Sequence, residues 1–136
     1  HVTKSCNLLL LLTPGVLSRP WCLVEIATAW NQGVSIVPVE VQRSGMSFKY
    51  PDEIFYQKLM SGKFLSKGDE QLLSDEGLRL ADVETSIRQV FTQIALPFSP
   101  HKSKQIRQAE LSDILERCMS CVKRERNILL LTGRAG

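Results

Sequence analysis

The sequence predicts an α/β fold built on a parallel sheet, and three neighbouring segments carry that expectation. Residues 7–13 (NLLLLLT) are a short unbroken apolar run stopped by Pro14-Gly15, residues 20–30 follow a proline as a helix, and residues 34–41 (VSIVPVEV) are dense in β-branched side chains. Strand, short loop, helix, tight turn and strand make a βαβ unit, whose strands run parallel and whose crossover is right-handed.

The elements follow in order. An apolar run without alternation suits a strand buried on both faces, and the Pro-Gly pair marks its end. Arg19-Pro20 places a proline where a helix can begin, with the preceding residue held out of helical geometry. The helix should close at Asn31-Gln32-Gly33, with Gly33 in the left-handed closing position. In the second strand Pro38 removes a ladder donor, which points to a strand end or an edge there.

Residues 42–81 hold polar turns and read as loop-rich, with one short helix from Pro51 to Leu59 and an apolar patch at Phe64-Leu65. From Asp82 to Ala95, the residues Val83, Ile87, Val90, Phe91, Ile94 and Ala95 recur at helical steps and form a stripe that needs a sheet to cover it. Pro97-Phe98-Ser99-Pro100 reads as a linker. Lys104 to Arg126 shows a second helical stripe, and it runs into the strand-like residues 127–132 and then Gly133-Arg134-Ala135-Gly136. The expected division is a first domain over 1–97, a linker with an amphipathic helix over 98–126, and the start of another domain over 127–136.

Composition narrows the function classes. The chain has 136 residues, 43% of them hydrophobic and 23% charged, which excludes intrinsic disorder. Its longest uninterrupted leucine run is Leu8 to Leu12, whereas a membrane helix needs about twenty apolar residues, so no span is expected. The net charge of +3 is uneven: residues 1–100 carry 9 Lys+Arg against 10 Asp+Glu, and residues 101–136 carry 8 against 4. In that tail the basic residues alternate with acidic ones, and no aromatic interleaves them to stack on bases, so nucleic acid is not an expected partner. Four cysteines are too scattered for a disulfide scaffold, which favours a reducing, cytoplasmic setting. The sequence opens on His1 with no signal-peptide pattern and is expected to begin inside a longer chain.

Glu25 is the one charged residue between Pro20 and Trp30, with Trp21 a helical turn before it on the same face. Burial among such neighbours would raise the carboxyl pKa, a setting in which a Glu serves catalysis. A solvent-facing helix Glu is the plainer alternative. Trp21 could wall a pocket, although a Trp at helical spacing is more often a core residue.

Around these residues the chain resembles a known family. The leucine run ending in Thr13-Pro14-Gly15, then Ser18-Arg19-Pro20-Trp21-Cys22-Leu23-Val24-Glu25, then Ile36-Val37-Pro38-Val39, is similar to the second half of a Toll/interleukin-receptor (TIR) domain. In that family a hydrophobic strand ends in a Ser-Pro-like turn, a Trp-Cys pair opens a helix with Glu four residues after the Trp, and the next strand ends in Pro-Val. The likeness covers residues 5–41 closely and extends loosely to 97. Thr13 stands where Ser is usual, and Arg19 where small residues are common.

The resemblance implies a flavodoxin-like parallel sheet with flanking helices, the N-terminal strands of the domain being missing. It implies signal transduction through self-association or other TIR domains. Some members cleave NAD+ and release nicotinamide, and the Glu that Glu25 matches is their catalytic residue, so NAD+ becomes a possible substrate rather than a cofactor. Without the family's first strands, Leu8 to Leu12 would present an unpaired edge.

The C-terminal strand ending in Thr132-Gly133-Arg134-Ala135-Gly136 looks like the entry to a P-loop, in which Gly133 and Gly136 would be the first nucleotide-binding residues and ATP the ligand of a downstream domain. A TIR-like domain before such a segment implies an NTPase receptor, or a regulatory segment of a P-loop ATPase; a plain glycine turn is the alternative. Cys118-Met119-Ser120-Cys121 lies on the apolar stripe of a helix and lacks two further ligands, so no metal site is expected and packing is its reading.

Overall fold

Leu8, Leu10 and Leu12 are fully buried on one side of a strand, and Leu9 and Leu11 are partly buried on the other. This is β1 (Asn7–Leu12), an inner strand of a sheet covered on both faces. The computed structural model describes residues 7–118 and the backbone of 128–131. After β1 come a 3-10 turn (Val16–Ser18), α1 (Pro20–Asn31), β2 (Ser35–Val41), α2 (Glu53–Met60), α3 (Lys67–Asp75), α4 (Leu80–Val90), β3 (Leu96–Phe98), α5 (Lys104–Cys118) and β4 (Ile128–Leu131).

The described strands form one parallel sheet in the order β3-β2-β1-β4. Leu8 pairs with Ile36 and Leu10 with Pro38, so the predicted βαβ unit is present in register. On one face Leu8, Leu10, Leu12 and Ile36 pack with Leu23, Ile26 and Ala27 of α1 and with Val83, Ile87 and Val90 of α4. On the other, Val37 and Val39 meet Ile114 and Cys118 of α5, with Leu9, Leu11, Leu96 and Phe98 around them. Each fully buried leucine contributes ~1.5–3 kcal/mol relative to exposure, so the sheet is held chiefly by these two layers.

Helix α1 begins with Pro20 as its first residue and closes as expected on Gly33, at φ 74. There the Val34 N–H donates to the Ala29 carbonyl at 2.9 Å and the Gly33 N–H to that of Trp30 at 3.1 Å, the paired bonds of a Schellman closure.

Several expectations are corrected. Pro38 lies inside β2 and not at its end, while the alternative expectation, an edge there, holds on the side where β3 has not yet begun. The proline is tolerated because β3 begins only opposite Val39, while the Ile36 carbonyl, two residues earlier and so on the same side, accepts from Gln93 Nε2 at 2.8 Å. The helix expected over 82–95 ends at Val90, and Ile94 lies 83% exposed beyond it. Leu96–Phe98, which overlaps the segment 97–100 read as a linker, is β3 itself; Pro97 fits because β3 is an edge strand.

Helix α5, expected as part of the linker, covers the second face of the sheet, and Asn7 Nδ2 donates to the Cys118 carbonyl at 3.0 Å across it. Ile128–Leu131, expected to open a following domain, pairs with Asn7–Leu10, so the edge anticipated as unpaired is covered over those residues. The loop-rich region contains α3, whose Ser66 and Asp69 form a reciprocal capping box.

Candidate functional site

The chain leaves β1 through a tight turn. Thr13 accepts from the Val16 N–H at 3.1 Å, and Gly15 adopts φ 87, a conformation that glycine reaches without a Cβ clash. At the matching end of β2 the chain leaves through Gln42 and Arg43 and returns as Phe48-Lys49-Tyr50. Between these two exits lies a cleft of about 330 Å³, floored by Gly15, Leu17 and Ser18 and walled by Phe48, Tyr50, Phe55 and Phe64. It sits at the carboxyl ends of adjacent parallel strands, where open α/β sheets hold ligands.

One wall is anchored on Glu40. This residue follows Ile36 and Pro38 on the same side of β2, and its carboxylate accepts from the Tyr50 hydroxyl and, at 2.9 Å, from Gln42 Nε2. Tyr50 and Phe48 meet edge to face at 5.0 Å, and both contact Phe91 beyond the end of α4, at 5.6 and 6.0 Å. Burial, then the hydrogen bond and negative charge of Glu40, push the Tyr50 phenol up to about 12. The loop is therefore pinned to the sheet by a phenol that stays protonated at neutral pH.

The sequence-predicted site lies on α1. Trp21 is 56% exposed and is not part of the core. Glu25, one turn further, is partly buried, and burial first, with the carboxylate of Glu76 at the end of α3 adding to it, raises its pKa above the usual value. Cys22 is buried; its thiol pKa is raised by burial, a rise opposed by Arg19 and reinforced by Glu25. Trp21 and Glu25 thus share a helix face, but neither lines the cleft.

Comparison of the chain with family models, curated proteins and solved structures returned no match.

Gly133 and Gly136 lie outside the described residues, as does Cys121, while Cys118 is buried in the layer beneath α5. Among the described residues no group of three His, Cys, Asp or Glu side chains is placed to hold a metal ion, and no helix is long and apolar enough to cross a membrane.

The Glu40, Gln42 and Tyr50 group was not found by sequence reasoning. Its signal was present in VPVEV, where a Glu occurs on the same side of a strand as the buried Ile36 and Pro38. A carboxylate in that position needs donors.

Proposed function

We propose that this chain is part of a TIR-type signalling module that works by homotypic association. The observation that carries the reading is the exposure of Trp21, which heads α1 directly after an inner parallel strand and its Pro-Gly turn. An aromatic kept out of both core and cleft, on a helix start fixed by Pro20, is the kind of rigid anchor that protein interfaces use. The parallel sheet with helices on both faces supports the reading at the level of architecture. Sedimentation velocity of the 136-residue chain over a wide concentration range tests it. A sedimentation coefficient that rises with concentration, and stops rising in Trp21→Ala, is expected; a monomer throughout removes the reading.

A second reading, NAD+ cleavage by Glu25, is favoured by the partly buried position of its carboxyl on α1. A carboxylate beside a ribose would stabilise the positive charge that develops as the glycosidic bond breaks. Nicotinamide release from NAD+ at high protein concentration, lost in Glu25→Gln, is the outcome this reading requires.

A further inference from the structure

We propose that the cleft between the β1 turn and residues 47–58 is a binding site for a small planar ring carrying a negatively charged group, separate from the Trp21 and Glu25 face. Three observations carry this inference.

The first is chemical. Phe48, Tyr50, Phe55 and Phe64 give the cleft four aromatic lining residues, and Lys49 and Lys58 are two basic ones. Among the described residues neither lysine is in an ion pair. The carboxylate among the lining residues belongs to Asp52, and it is already engaged in accepting from the Phe55 N–H at 2.9 Å as the cap of α2. Aromatic side chains select a flat apolar partner, and two ammoniums against one carboxylate leave the lining net positive, which selects an anion.

The second is size. A cleft of about 330 Å³ lies at the lower end of the ~300–1,000 Å³ range of small-molecule sites, which suits a single ring with one charged substituent. A long peptide or a nucleic-acid strand would need a larger groove.

The third is preorganisation. The Phe48 to Tyr50 wall is held in place by the Tyr50 hydrogen bond to Glu40 and by stacking on Phe91. The opposite floor is fixed by the Gly15 turn, where the Ser18 N–H donates to the Gly15 carbonyl at 3.0 Å. Both sides are thus built before a ligand arrives, which lowers the ordering cost of binding.

The test is a titration of the 15N-labelled full chain with phenyl phosphate, followed by amide chemical shifts. Benzyl alcohol serves as the ring without charge, inorganic phosphate as the charge without ring, and benzoate as the carboxylate counterpart. Saturable shifts at Gly15, Ser18, Tyr50 and Lys58, with phenyl phosphate or benzoate binding at least about tenfold tighter than either control, are expected. Which of those two binds tighter distinguishes a phosphate ligand from a carboxylate. Lys49→Gln/Lys58→Gln, two exposed changes that leave the core intact, should weaken binding about tenfold or more, while Trp21→Ala leaves it unchanged. Shifts located elsewhere, equal binding of benzyl alcohol, or full affinity in the double lysine variant overturns the proposal.

Discussion

The Tyr50 hydroxyl donates to Glu40 Oε1, joining the loop after β2 to the end of the strand it has just left. Glu40 also accepts from Gln42, so both of its oxygens are occupied, and the carboxylate emerges from an otherwise apolar side of β2 with its partners supplied locally. The arrangement turns a polar group in the sheet into the anchor of the cleft wall.

That anchor has an alkaline signature. The folded-state pKa of Tyr50 lies at about 12 against an ordinary 10.0, so the folded chain holds the phenolic proton more tightly than the unfolded chain does. The resulting stability is present below pH 10, where both states are protonated, and is lost as pH rises from about 10 to about 12. Chemical denaturation across that window should show wild type losing stability relative to Tyr50→Phe, with the two curves parallel at lower pH.

Glu25 gives an experiment of the same sign at lower pH. Its pKa is raised by burial, so ionising it costs more in the folded chain than in the unfolded one, and stability falls as pH rises through the raised value. Glu25→Gln is expected to melt above wild type at pH 7. The difference should vanish below the ordinary value of 4.5, where the wild-type carboxyl is protonated in both states.

Gly33 closes α1 at φ 74, with open space where a Cβ would project. Gly33→Ala therefore meets backbone strain and no clash, and should cost about 1–2 kcal/mol in urea denaturation. A larger loss would mean that the turn from α1 into β2 also depends on packing.

Leu10 is fully buried between β2 and β4, whereas Ile94 is 83% exposed beyond α4. Leu10→Ala should destabilise by about 2–5 kcal/mol and Ile94→Ala by less than about 0.5 kcal/mol, measured by the same denaturation. A large effect at Ile94 would restore it to the helix stripe to which its spacing assigned it.

The contrast between those two leucine-like positions explains what was legible in the sequence. β1, α1 and β2 were readable because each carries its own punctuation: Pro14-Gly15, Pro20, and the closing Gly33. Past Val90 the apolar period continued into Ile94 without a breaker, so the pattern overran the helix. Leu96–Phe98 was obscured by Pro97 within it and Pro100 just after it, a pair that reads as a linker when the strand is an edge only three residues long. α3 buries little beyond Leu73, and its clearest signal was the Ser66 to Asp69 cap rather than any stripe. In the site, Glu25 stood out as a charge among apolar neighbours. Tyr50 did not, because its partner lies across a ten-residue separation that only the returning loop closes.

The position of β4 carries a consequence for how this chain is made. β1 lies between β2 and β4, and the bond from Asn7 to the Cys118 carbonyl spans 111 residues of sequence. During synthesis the leucine strand therefore emerges long before α5 and β4, and of its two described neighbours β2 is made first. Its other edge waits for β4, a delay in which a nascent chain is open to mispairing and to capture by chaperones. Assembly of this sheet is a late, long-range event, and its rate should be governed by closure of that large loop more than by the speed at which any helix forms.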